Sequence, residues 1–256
     1  MLSKKKLLKW DYSKAAKNYD LRADYSEKLF KKIIKKTSSS KNSLVVDIGA
    51  GTGKLTKLLC KNKFKVIAIE PNKSMRFYGK KNLKKYLNIK WKDAKAENTK
   101  LKSNIAQCVF FGSSFNVVNH KKTFKEIKRI LRNKGFFCFM WNHRNLNNIH
   151  QKKIENIVKK NLPNYKYGER RSDYRKILQK EKNFTNIEKL SQKFSVKIKN
   201  KNFLKAWRSH ETLRKNCKND REFEKIINEI AAYVNSRLKN YIKVTYDNVA
   251  YIGQLK

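Results

Sequence analysis

The feature that most constrains this chain is a set of three alternating glycines, Asp47-Ile48-Gly49-Ala50-Gly51-Thr52-Gly53, lying between an apolar run and a helical pattern. Leu44-Val45-Val46-Asp47-Ile48 reads as a short buried strand, and Leu55, Leu58 and Leu59 share one helix face. Glycine lets such a turn approach a ligand closely, and the helix that follows opens with free N–H groups. The cluster stands out because 256 residues hold only 8 Gly and 2 Pro. Two familiar phosphate loops are excluded by one residue each. The dinucleotide fingerprint G-x-G-x-x-G needs glycine where Lys54 stands, and a Walker loop needs Ser or Thr where Leu55 stands.

Strand and helix patterns then alternate. Phe64 to Ile69 reads as a second buried strand closed by Glu70-Pro71, and Glu70 falls 17 residues after Gly53. A carboxylate at that strand tip can accept hydrogen bonds from both hydroxyls of a ribose. Met75 to Tyr86 reads as a helix, Ile89 to Trp91 and Ile105 to Phe111 as strands, Phe124, Ile127, Ile130 and Leu131 as a helix face, and Gly135 to Trp141 as a strand. This alternation predicts a parallel sheet with helices on both faces, and a ligand at the carboxyl ends of its strands. Upstream, Ala15, Ala16 and Tyr19, then Tyr25, Leu29, Phe30, Ile33 and Ile34, recur at helical spacing up to a polar Thr37-Ser38-Ser39-Ser40 linker. Downstream the pattern loosens: Ile149 to Leu162 helical, Asn164 to Glu181 irregular, Phe194 to Ile198 a strand, Phe223 to Leu238 helical, and Tyr241 to Leu255 a closing strand pair or one hairpin.

Charge is the loudest compositional feature, at +44 from 64 Lys and Arg against 20 Asp and Glu. It brings nucleic acid, anionic membranes and anionic small molecules forward as partners. The excess is spread evenly, as +8 over residues 1–40, +19 over 41–142 and +17 over 143–256, and only 12 of the 64 basic residues are Arg. That is the profile of a Lys-rich background rather than of a dedicated nucleic-acid arm. Met1 to Trp10 lacks the apolar run of a secretory signal, and no stretch is long enough to span a membrane. Cys60, Cys108, Cys138 and Cys217 lie far apart, so neither a metal site nor a disulfide framework is expected. Reduced thiols in a cytoplasmic protein are the simplest reading.

Asp47 to Gly53, Glu70-Pro71-Asn72, Asp93-Ala94, Ile105 to Asn119 and Gly135 to Trp141 resemble the ordered motifs of the class I S-adenosylmethionine-dependent methyltransferases, most of all those with a methyltransferase type 11 domain. The resemblance covers about residues 41–145. It extends more weakly to Tyr19-Asp20-Leu21-Arg22, Trp141-Asn142-His143-Arg144 and Leu204 to Ser209. It implies a Rossmann-like doubly wound α/β sheet with an N-terminal helical cap (1–40), a cofactor-binding core (41–145) and an acceptor-shaping C-terminal insert with closing strands (146–256). It implies S-adenosyl-L-methionine as cofactor, with Gly49, Gly51 and Gly53 passing beneath it and Asp47 fixing the loop and reaching its amino group. Glu70 would hold the ribose, Asp93 and the Ala94 N–H the adenine, and Tyr19 and Arg22 would close over the cofactor, Arg22 pairing its carboxylate.

The acceptor is less legible. Enzymes that methylate exocyclic amines of bases carry an Asn/Asp-Pro-Pro-Tyr/Phe motif after the fourth strand, and the ribosomal RNA adenine dimethyltransferases, whose first motif is also similar, carry variants with Pro. Here that place reads Gly112-Ser113-Ser114-Phe115-Asn116-Val117-Val118-Asn119, and the prolines stand only at 71 and 163. Asn116 and His143 are the candidate catalytic residues, as an amide that orients a polar acceptor and an imidazole just past the fifth strand; His210 lies further off. Tyr165, Tyr167, Arg170 and Arg171 are either a lid or a solvated connector. The expectation is a methyltransferase acting on a small-molecule acceptor, with an RNA methyltransferase or a non-catalytic cofactor-binding protein as alternatives. Oligomeric state is not legible.

Overall fold

Asparagine caps and short apolar runs set the order of elements in the computed structural model, which describes residues 11–37, 39–165 and 171–256. The strands β1 (Leu44–Ile48), β2 (Lys65–Ile69), β3 (Ile89–Lys92), β4 (Ala106–Gly112), β5 (Leu131–Arg144), β6 (Phe184–Lys199) and β7 (Tyr241–Leu255) form one sheet ordered β3-β2-β1-β4-β5-β7-β6. The first five are parallel, and β7 runs antiparallel between β5 and β6. From β1 the chain steps outward to β2 and β3 and then crosses back to β4. A cleft therefore opens where β1 and β4 diverge, at their carboxyl ends.

The crossovers are α3 (Lys54–Lys61), α4 (Lys73–Asn82) and α5 (His120–Ile130), preceded by α1 (Ala16–Tyr19) and α2 (Glu27–Lys36). The C-terminal segment adds α6 (Ile149–Asn161), α7 (Arg175–Leu178), α8 (Asn200–Arg208), α9 (Glu211–Asn216) and α10 (Asp220–Arg237). The side chains of Asn72, Asn119, Asn148 and Asn219 accept the N–H three residues on, at 2.9–3.1 Å, and so start α4, α5, α6 and α10. Each such cap contributes about 1 kcal/mol and fixes where the helix begins.

Central strands are buried on both faces, so their alternate residues enter two cores. Val46, Ile48, Val109, Phe111, Phe137 and Phe139 pack on one side; Val45, Val66, Cys108, Phe110, Cys138 and Met140 pack on the other with Leu29, Phe30 and Ile33 of α2. A third core, among Ile154, Phe203, Trp207, Phe223, Ile227 and Val244, belongs to the C-terminal segment. The four cysteines are free, and among the described residues no cluster of three metal-ligating side chains occurs and no helix is long and apolar enough to cross a membrane.

Three sequence expectations need correction. Tyr241 to Leu255 is one continuous strand, neither a strand pair nor a hairpin, because β5 and β6 supply partners along its two edges. Asp247-Asn248, which would suit a turn, is held in the strand: buried Asn248 accepts from Ser26 N at 2.9 Å and donates to Trp141 O at 2.9 Å. The strand read at Phe194 to Ile198 runs for 16 residues as β6, whose weakly apolar alternation hid its ends. Among the described residues up to 40 there are two short helices separated by Asp20 to Ser26, with Ser26 capping α2 at Leu29 N. Met1 to Trp10, Tyr167 and Arg170 lie outside the described residues.

Candidate active site

The glycine loop is built as its sequence requires. Gly49, Gly51 and Gly53 all have positive φ, at 70°, 59° and 89°. The N–H groups of Gly49 and Ala50 both donate to Ile69 O, at 2.9 and 3.0 Å, which hangs the loop on the end of β2. A Cβ on Gly49 would lie 2.5 Å from Ser114 Cβ, so side chains are excluded there by the β4 tip. Glu70 locks the loop from the other side: one carboxylate oxygen accepts Gly51 N–H at 2.8 Å and the other Asn72 N–H at 2.8 Å. Burial raises the Glu70 pKa, and these two N–H groups oppose the rise.

Asp47 is fully buried beneath the loop. Its Oδ2 accepts from Thr56 Oγ1 at 2.6 Å, whereas its Oδ1 has no hydrogen-bond partner. Burial pushes its pKa up to about 7, against the hydrogen bond from Thr56 and with help from the negative charge of Glu70. A folded-state pKa above the unfolded value means the native state holds the extra proton between them. The associated stability is present at acid pH and is lost as pH rises from about 4 through about 7, by up to about 4 kcal/mol. Asp47→Asn should therefore flatten the fall of Tm over that window, measured by scanning calorimetry; parallel Tm–pH curves for the two proteins would contradict this.

These residues border a cavity of about 520 Å3 that crosses the carboxyl edge of the sheet, large enough for a nucleoside-sized ligand and a smaller partner. Of the expected site residues, Tyr19, Arg22, Asp47, Gly49, Gly51, Glu70 and His143 line it. Gly53 supports the loop from outside, where a Cβ would meet Leu83 at 2.6 Å. Asp93 and Ala94 are not on the wall. Asp93 is turned outward to an ion pair with Arg76 at 2.7 Å, Ala94 packs in the core, and the adjacent Lys95, Ala96 and Glu97 line the cavity instead. Arg76 bridges this ion pair to Glu70 O at 2.6 Å, so Asp93 acts on the site through the backbone of Glu70.

Asn116 also falls outside the main cavity. Its side-chain oxygen accepts the Trp141 indole N–H at 3.0 Å, and the residue lines a small adjoining hollow. Arg22 stacks over Tyr19 at 4.2 Å and donates to Ser209 through Nε and Nη2, tying the N-terminal helices to the end of α8. His210 is a structural cap: its Nδ1 accepts Leu213 N–H at 3.2 Å and its ring stacks on Trp207. Several wall residues carried no assigned role in the sequence. Met75, Ser113, Ser114, Arg144, Trp207 and Tyr246 come from five separate segments, and only their positions after strand ends could have marked the serines and Arg144.

Comparison with known proteins agrees with this geometry. Residues 46–139 match the family model described as a methyltransferase domain. A Dictyostelium discoideum protein assigned as a methyltransferase is 32% identical over 123 residues, 48% of this chain and 44% of that protein. An uncharacterized methyltransferase of Schizosaccharomyces pombe is 27% identical over 124 residues, 48% of each. The matches thus span about half the length of these curated relatives. Among solved structures, a protein of Anaeromyxobacter dehalogenans assigned as a type II methyltransferase superposes with TM-score 0.64 at 16% identity, covering 91% of this chain and 97% of that one. Phosphoethanolamine N-methyltransferase 2 of Haemonchus contortus, solved with S-adenosyl-L-methionine, superposes with TM-score 0.56 at 12% identity, covering 95% and 57%. The fold is Rossmann-like. The likeness to the methyltransferase-domain family lies in residues 46–139, which hold the glycine loop and Glu70.

Proposed function

We propose that the protein is a cytoplasmic S-adenosylmethionine-dependent methyltransferase acting on a small molecule. The observation that carries the reading is the orphaned Asp47 Oδ1, a buried acceptor at a cavity wall, beside a glycine loop that Glu70 holds open. Asp47 Oδ1 would accept from the ammonium group of a bound cofactor, and each Glu70 oxygen keeps lone pairs that would serve a ribose hydroxyl. Asp47, Gly49, Gly51 and Glu70 are the assigned cofactor residues, with Tyr19 closing from above. Lys95, Ala96 and Glu97, next in sequence to Asp93 and Ala94, line the cavity and would neighbour the base with them.

When bound, the cofactor supplies an activated methyl group: the acceptor's lone pair forms the new bond to carbon while the C–S electron pair stays on sulfur. The chain's contribution is alignment in a site sheltered from water. His143, on the cavity wall, is the candidate to take a proton from an acceptor that must lose one. Residues 1–40 serve as cap, 41–145 as cofactor core and 146–256 as the acceptor-shaping part. The lack of proline after β4 favours a small molecule over an RNA base amine, despite the +44 charge. Calorimetric titration with S-adenosylmethionine tests the reading: saturable binding by the native protein that is lost in Gly51→Arg is expected. Absence of binding, or equal binding by both, rejects it.

A further inference from the structure

Away from the glycine loop, the cavity wall carries another unmet buried acceptor. Asn142 lines the cavity near the carboxyl end of β5, two residues past Met140, which is the register partner of Gly112 at the end of β4. Its Nδ2 donates to Ala23 O at 3.3 Å and to Asp24 O at 3.0 Å. Two carbonyls can face only the NH2 branch of an amide, so they fix which way round Asn142 lies. The oxygen stands on the other branch, buried and without a hydrogen-bond partner among the described residues. A buried acceptor left unmet costs free energy, which a ligand that donates to it recovers.

The position suits the reacting end of an acceptor. Because β4 lies between β1 and β5, Asn142 is two strand spacings, about 10 Å, from the strand that carries the glycine loop. The β4 tip bridges this distance: Ser114 Oγ donates to Ile48 O at 2.6 Å, beside Gly49, and Ser113 N–H donates to Met140 O at 2.8 Å on β5. Tyr25, next in the chain to the carbonyls that hold Asn142, sets its hydroxyl 3.0 Å from Ser113 Oγ. Tyr25, Ser113 and Asn142 all line the cavity, so this corner borders the cofactor loop. Chemistry narrows what can donate there. An amide oxygen holds a proton in a hydrogen bond but does not remove it, which suits a neutral amine, a nucleophile that needs no base. A hydroxyl must lose its proton to react, and a carboxylate has none to donate.

Resting on the methyltransferase reading above, we propose that Asn142 Oδ1 accepts the N–H of a primary or secondary amine and so aims its nitrogen at the methyl group. The nitrogen lone pair forms the N–C bond, the C–S electron pair stays on sulfur, and the methylated ammonium releases one proton to solvent. The test supplies S-adenosylmethionine with an isotope-labelled methyl group and the small-molecule extract of the source cells, and reads by NMR which atom of the product carries the label. The label is expected on nitrogen. At limiting extract, Asn142→Ala should transfer label about a hundredfold more slowly, while its calorimetric affinity for S-adenosylmethionine stays within twofold of wild type. Asn142→Asp loses both donations to Ala23 and Asp24 but keeps an acceptor oxygen, so it should recover at least tenfold of that rate although its Tm is no higher than that of Asn142→Ala. Equal loss of rate in the two variants is the result if Asn142 only ties down the Ala23–Asp24 segment, and it overturns the proposal. So does label on oxygen, sulfur or carbon, no label in any small molecule, a wild-type rate in Asn142→Ala, or a loss of cofactor affinity in that variant as large as its loss of rate. Failure of the native protein to bind S-adenosylmethionine would reject the methyltransferase reading instead.

Discussion

Gly49→Val is expected to abolish measurable binding of S-adenosylmethionine, a loss of a hundredfold or more, while the protein still folds with Tm lowered by several degrees. Two costs combine. A β-branched residue at φ +70° carries backbone strain of about 1–3 kcal/mol. Its Cβ would also stand 2.5 Å from Ser114 Cβ and 2.8 Å from Ser114 Oγ, the hydroxyl that donates to Ile48 O at 2.6 Å. Relief requires the loop and the β4 tip to part, which widens the cavity where the methyl-bearing part of the cofactor would sit. About 3 kcal/mol of combined cost corresponds to somewhat over a hundredfold in affinity. Wild-type affinity in this variant, measured by calorimetry, would show that the loop is not the cofactor cradle.

The second large effect is that of Glu70→Ala, with an expected stability loss of about 2–4 kcal/mol from two charge-assisted hydrogen bonds, one to a buried donor and one to a half-buried donor. Both Gly51 N–H and Asn72 N–H lose their acceptor, so the loop and the start of α4 loosen together. Cofactor affinity should fall about a hundredfold, since the ribose loses its acceptor as well. Glu70→Gln, which keeps one acceptor oxygen, should lie between. Calorimetric Kd values and urea midpoints for the three proteins check this; equal losses for Gln and Ala would mean that the carboxylate acts only through its charge.

The parts of this molecule that could be read from sequence are those where a local rule and the global fold agree. The Asp47–Gly53 loop and Glu70 were legible because a strand end, three glycines and a second strand tip fall at fixed spacing. Spacing does not reveal how Asp93 is held: Arg76, one helical turn into α4, pairs with it on the outer side, and Lys95 to Glu97 line the cavity two residues later. Nor does it reveal the partner of Asn116, the Trp141 indole, which lies 25 residues away on the neighbouring strand. The far end of the cavity depends on contacts over much longer separations, such as Arg22 with Ser209 and Arg144 with Trp207 and Tyr246. Periodicity in the C-terminal segment shows helices and strands but not which side chains they bring to one wall.

The most direct measurement is a crystal structure of the protein with S-adenosylhomocysteine. It should show the amino group within hydrogen-bonding distance of Asp47 Oδ1, the ribose hydroxyls on Glu70, and part of the cavity left for an acceptor. A ligand bound elsewhere, or one in this cavity that touches neither carboxylate, would contradict the account.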